Sequence, residues 1–178
     1  MIPGLTFIRD LTWEDVFEIW RGNEEHRPNW IKLYTERGFS SWTDWRRPYA
    51  DQLGLPTKSW KLYRVDDASI TVPNLHGGPF RGWSERFYNG VSVPTFKEIV
   101  NHPDIKSHTG ILDIEEHFPV PTTITAVQND DGIILTEGMH RCAAIAIASA
   151  ENKNIATELY IALSDYEPGH LPLVGKRD

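Results

Sequence analysis

Apolar residues recur along the first third of the chain with helical spacing. Thr12 precedes WEDVFEIW with Asp15 three residues on, and Trp13, Val16, Phe17 and Trp20 fall at i, i+3, i+4 and i+7. That is a capped amphipathic helix. PNWIKLYTERG places Pro28 near a helix start and Gly38 past its end, with Trp30, Leu33 and Tyr34 as the apolar stripe. SSWTDWRRPYADQLGL repeats the Ser-then-Asp spacing at Ser41 and Asp44, and Pro48 is expected to bend or end that helix. Residues 1–57 therefore read as a small helical subdomain, and residues 58–178 as a second unit.

From Ser59 the pattern changes. WKLYRV and ASITVP suggest extended segments, and PNLHGGPFRGWSERFYNG reads as a permissive loop, either a connector or a ligand cover. PTFKEIVNHP suggests a short helix and GILDIEEHFPVP an irregular stretch. TTITAVQ, NDDG and IILTE then predict a hairpin. Met139 to Ala150 is apolar at almost every position after Arg141, which predicts a helix buried on most sides. IATELYIALS restores strand alternation, and EPGHLPLVGKRD reads as a loosely ordered tail. The fold class is α+β, a mixed sheet with packed helices.

Five of the seven tryptophans lie before residue 57, at Trp13, Trp20, Trp30, Trp42 and Trp45. Bulky rings at that density read first as a small core. An aromatic platform helped by Arg37, Arg46 and Arg47 would need exposed rings. The net charge of -7 disfavours nucleic acid, whose phosphate backbone calls for a field of Lys and Arg. The single cysteine, Cys142, excludes an internal disulfide and fits a reducing cytoplasm. MIPGLTFIRD lacks a basic segment followed by a long apolar run, so a soluble, unexported protein with no membrane partner is expected.

Candidate chemistry concentrates where the second hairpin strand meets the buried helix, at Glu137, Gly138, Met139, His140 and Arg141. A helix amino terminus offers free N–H groups and partial positive charge to an anion. Gly138 leaves room for its approach, and Arg141 adds a planar fork for phosphate or carboxylate. His140 suits hydrogen bonding or proton transfer. Glu137 suits a magnesium ligand or a base toward a hydroxyl. The plainer alternative is a surface pair between Glu137 and Arg141, four residues apart. His102, His108 and His117 have no recognised metal-ligand spacing.

GIILTEGMHRCAAIAIA resembles the core motif of the ParB/sulfiredoxin superfamily, in which a strand ends in an acidic residue or glycine and Gly-x-His-Arg opens an alanine-containing helix. The likeness covers residues 119–165 and extends more weakly back to Ser59. It implies that Gly138, Met139, His140 and Arg141 meet the phosphates of ATP or another nucleotide. Sulfiredoxins carry their catalytic cysteine where this chain has Met139, so that activity is not expected. Free serine kinases of this kind carry a catalytic acid where this chain has Glu137. VPNLHGGPFRGW is similar to a family loop that would bring Asn74, His76 and Arg81 to nucleotide or substrate. The resemblance therefore implies a nucleotide-binding protein, as a magnesium-dependent phosphotransferase acting on a small hydroxyl substrate or a nucleotide hydrolase. The alternatives are a nucleotide-responsive module contacting a protein or nucleic acid partner, and a structural protein with a vestigial pocket.

Overall fold

The structure is a computed structural model and describes residues 2–153, 155–167 and 169–175. The element order is β1 (Leu5–Leu11), α1 (Trp13–Glu24), α2 (Pro28–Glu36), α3 (Trp42–Gln52), β2 (Trp60–Val65), α4 (Ala68–Thr71) and α5 (Arg81–Phe87). There follow α6 (Phe96–Ile99), α7 (Pro103–Lys106), α8 (Thr109–Glu116), β3 (Thr122–Asn129), β4 (Gly132–Glu137), α9 (Met139–Ala150) and β5 (Leu159–Asp165).

The strands form one mixed sheet in the order β1-β2-β5-β3-β4. β3 and β5 run parallel, joined through β4 and the crossover helix α9, and every other neighbouring pair is antiparallel. Both faces are covered. Ile124, Ala126, Leu135, Ile161 and Leu163 pack with α9 on one side, while Val127, Ile134 and Ala162 pack with the rings of α1 and α3 on the other. Alternation along β3 and β5 thus feeds two cores.

α9 is buried from Arg141 to Ala148, as its alanines predict. The Thr12 and Asp15 capping box is formed, with Asp15 N donating to Thr12 Oγ1 at 3.1 Å and Thr12 N to Asp15 Oδ2 at 2.9 Å. Trp20, Trp42 and Trp45 are fully buried, so most of the tryptophan-rich segment is core.

Several expectations are corrected. Residues 1–57 contribute not only three helices but also the edge strand β1, whose five central residues are all exposed. ASITVP is not extended, because Asp67 accepts from Ser69 N and Ile70 N and winds α4, which a 3-10 turn at Val72–Asn74 continues. GILDIEEHFPVP is not irregular throughout: Thr109–Glu116 is the helix α8, with Ile111 fully buried and Ile114 one turn on packed against the same core. Of the two outcomes expected at Pro48, a bend or an end, the end is excluded, because α3 runs on to Gln52 with Trp45 and Ala50 anchored in the core on either side of it. The tail is docked where it is described. Val174 is buried, its N–H donates to Pro79 O and its carbonyl accepts from Arg81 N. The remainder of that expectation, at Pro168 and Lys176–Asp178, lies outside the described residues.

Candidate functional site

β4 and β3 part from regular register where Thr125 faces Glu137 while Ala126 faces Leu135, which leaves Thr136 as an extra residue. Such bulges bend a strand and re-aim its side chains. Here Glu137 reaches two layers at once: its carboxylate receives Arg141 Nη2 from α9 and Asn23 Nδ2, at 3.1 Å, from α1. Gly138 then turns the chain at φ 101, where a Cβ would overlap Ile124 Cγ2. Glycine is required there on both counts.

Gly138 has no side chain to cap α9, so among the described residues the first turn of that helix has no side-chain cap on its N–H groups. The turn opens into a cleft of about 190 Å³ between α9, the helices α1 to α3, and the start of α5. Five arginines line it, Arg27, Arg37, Arg46, Arg81 and Arg141, against two glutamates, Glu24 and Glu137. The cleft is therefore basic in a chain whose net charge is -7.

Each glutamate is already committed to an arginine. Glu24, buried on α1, receives Arg46 Nε at 2.6 Å, Arg46 Nη2 at 2.8 Å and Trp42 Nε1 at 2.8 Å. The Arg46 guanidinium also lies 3.6 Å from the Trp45 ring centre. Glu137 and Arg141 are each 5% exposed, so the pair is buried rather than superficial. Arg141 further donates to Thr122 Oγ1 and, at 3.0 Å, to Thr123 O. Burial pushes the Glu137 carboxyl above its ordinary range, and Arg141 opposes that shift.

The other three arginines of the lining, Arg27, Arg37 and Arg81, are only partly buried. Arg27 Nε donates to Asn23 O at 2.8 Å, and among the described residues its guanidinium has no ionic partner. Arg81 is 3.7 Å from the half-exposed Glu85. Trp30 and Trp83 stand beside the His140 ring, with centroids 6.2 and 5.2 Å away, and His108 lies at 5.2 Å. Burial, with His108, Arg141 and Arg27 nearby, pushes the His140 imidazole down to about 4. It is neutral at physiological pH, a hydrogen-bonding group rather than a cation.

The cleft brings together Glu137, Gly138, Met139, His140, Arg141 and Arg81. Asn74 and His76 stand apart from it. Asn74 Nδ2 donates to Ile70 O at 2.8 Å, and His76 pairs its backbone with Ile133 and Leu135 at the edge of β4. The glycine loop is thus a sheet-edge connector: Gly77 and Gly78 let the backbone pass against Tyr88 and Leu135 O. Met139 offers the cleft its backbone, since its Sδ accepts from Gly78 N at 3.1 Å. Cys142 is fully buried and its thiol is pushed up by burial, which makes it inert.

The donor set does not fit a protein-held magnesium ion. Both oxygens of Glu137 are engaged, and no three His, Cys, Asp or Glu residues group as ligands among the described residues. His102, His108 and His117 are dispersed, His102 as a helix cap and His117 beside Asp113. Sequence reasoning missed Asn23, Glu24, Arg27 and Trp83, and weighed Trp20 only as one of five tryptophans of a core or an aromatic platform. The one available signal was the interleaving of tryptophan with arginine before residue 57, where Trp45, Arg37 and Arg46 do reach the cleft. No family model, curated protein or solved structure matches the chain.

Proposed function

We propose that the cleft binds a nucleotide, with the phosphates at the uncapped amino terminus of α9 and along Arg27 and Arg81, and the base toward the indoles of the helical layer. The observation that carries this reading is the pairing of that helix terminus with surplus arginine in an otherwise acidic chain. Trp30 and Trp83, both partly exposed, supply faces on which a planar base can stack. The resemblance of GIILTEGMHRCAAIAIA to the nucleotide-binding turn of the ParB/sulfiredoxin superfamily supports the same reading.

Binding without turnover is favoured over phosphotransfer to a small hydroxyl substrate. A carboxylate that serves as base or metal ligand must be free to reach the acceptor, and both carboxylates of the cleft are held in buried ion pairs, which leaves the neutral His140 imidazole as the group able to take a proton. Glu137 on this reading positions Arg141. Thermal denaturation with ATP, ADP and CTP, each with magnesium, tests the proposal: at least one nucleotide raises the melting temperature and is recovered intact after long incubation. An unchanged melting temperature with all three would sink nucleotide binding, and consumption of the nucleotide would return Glu137 to a catalytic role.

A further inference from the structure

Four of the buried polar side-chain atoms that lack a hydrogen-bond partner among the described residues lie on one side of the sheet: Trp20 Nε1, Trp45 Nε1, Thr125 Oγ1 and Thr136 Oγ1. Thr125 alternates with Ile124 and Ala126 and so faces α1 and α3, and Thr136, the extra residue of the bulge, lines the cleft on that same side with Trp20 and Trp45. Trp20, Trp45 and Thr136 also line the cleft, and they are 1%, 2% and 0% exposed. Buried polar atoms are nearly always satisfied, and an indole N–H can only donate. The buried wall that Trp20, Trp45 and Thr136 give the cleft therefore carries polar atoms without partners among the described residues, two of them pure donors.

Charge narrows what those acceptors belong to. The cation beside these rings, Arg46, is buried and neutralised by two hydrogen bonds to Glu24, whereas Arg27, Arg37 and Arg81 are only partly buried. An anion placed against Trp20 and Trp45 would be desolvated beside a guanidinium whose charge Glu24 already balances. A neutral oxygen acceptor on a flat ring meets the rings, the donors and the balanced charge together. We infer that this buried wall of the cleft is a donor subsite for the oxo group of a heterocyclic base, with Trp20 and Trp45 as the residues that determine specificity. The inference rests on the nucleotide reading and adds which end of the nucleotide meets that wall and what its base must carry.

Calorimetric titration of the full chain with two matched pairs tests it: inosine triphosphate against purine riboside triphosphate, and uridine triphosphate against its 4-deoxy analogue. Each pair differs by one oxo group and by the proton on the ring nitrogen beside it. The oxo member is expected to bind at least about tenfold more tightly in one pair or both, because the analogue leaves buried donors unpaired. Trp45→Phe or Trp20→Phe, which keeps a ring and removes the N–H, is expected to bring that ratio within about twofold. Equal affinities within both pairs overturn the subsite while leaving nucleotide binding intact, and so does a ratio that survives both substitutions. If neither these four nucleotides nor ATP binds, both readings fall. Should the variants not fold, the matched pairs on the unaltered protein decide alone.

Discussion

Glu137, the last residue of β4, holds Arg141 one turn into α9, and each side chain is only 5% exposed. The pair spans the bend at Gly138 and ties the sheet to the helix terminus that faces the cleft. Removing one member of a buried pair strands the other charge, while replacing both can be nearly neutral. Glu137→Gln alone is expected to cost about 3–5 kcal/mol in urea unfolding. Combined with Arg141→Met it should recover most of that loss. A double-mutant cycle with additive losses would show that the two groups act independently.

Gly138→Ala should be costly for two separable reasons. The backbone sits at φ 101, and the added carbon would run into Ile124. Strain and overpacking together are expected to remove about 2–4 kcal/mol. Chemical denaturation of the variant checks this, and a loss under 1 kcal/mol would mean that the turn relaxes freely.

Arg27 and Arg81 are expected to matter for affinity more than for folding. Arg27→Ala and Arg81→Ala should each weaken ATP binding about tenfold, with melting temperatures near that of the parent. The loss should shrink at high salt, because the contacts are charge-assisted and partly exposed. Titrations at two ionic strengths give the answer. Variants that bind ATP as the parent does would remove phosphates from that part of the cleft.

His140 makes stability depend on pH in a defined window. Its folded pKa, about 4, lies below the ordinary 6.5, so between those values the unfolded chain holds the extra proton. Its contribution is complete above pH 6.5 and is lost as pH falls toward 4, a change of about 3 kcal/mol. His108, shifted in the same direction, adds to the slope, whereas the raised Glu137 carboxyl opposes it. His140→Asn should flatten the curve of melting temperature against pH across that window. A curve parallel to the parent's would assign the acid sensitivity elsewhere.

What the sequence disclosed was local in origin. The NDDG turn, the alanines of α9 and the Thr12 cap each act over a few residues, and each forms as its pattern predicts. β1 was hidden because only Leu5 and Leu11 are buried, which leaves an edge strand with no alternation to read. The cleft was hidden for a different reason. Asn23 meets Glu137 across 114 positions, and Glu24 recruits Arg46 from another helix. No spacing rule encodes such partners. The bend residues were visible because they are contiguous, while the wall opposite them belongs to helices that read equally well as plain core.

One wall of that cleft is less deeply buried than the rest. α2 contributes Trp30 and Leu33 to the cleft, flanked by Arg27 and Arg37, yet buries none of its residues fully. Local opening is cheapest where the fewest apolar groups leave contact. Its amides should be among the first to exchange with deuterium, and nucleotide should slow them more than those of α9. The helix would then set how fast a ligand enters and how long it stays. In kinetic language, α2 is a door, and changes on its outer face such as Ile31→Lys should alter dwell time while leaving the bound geometry as it was.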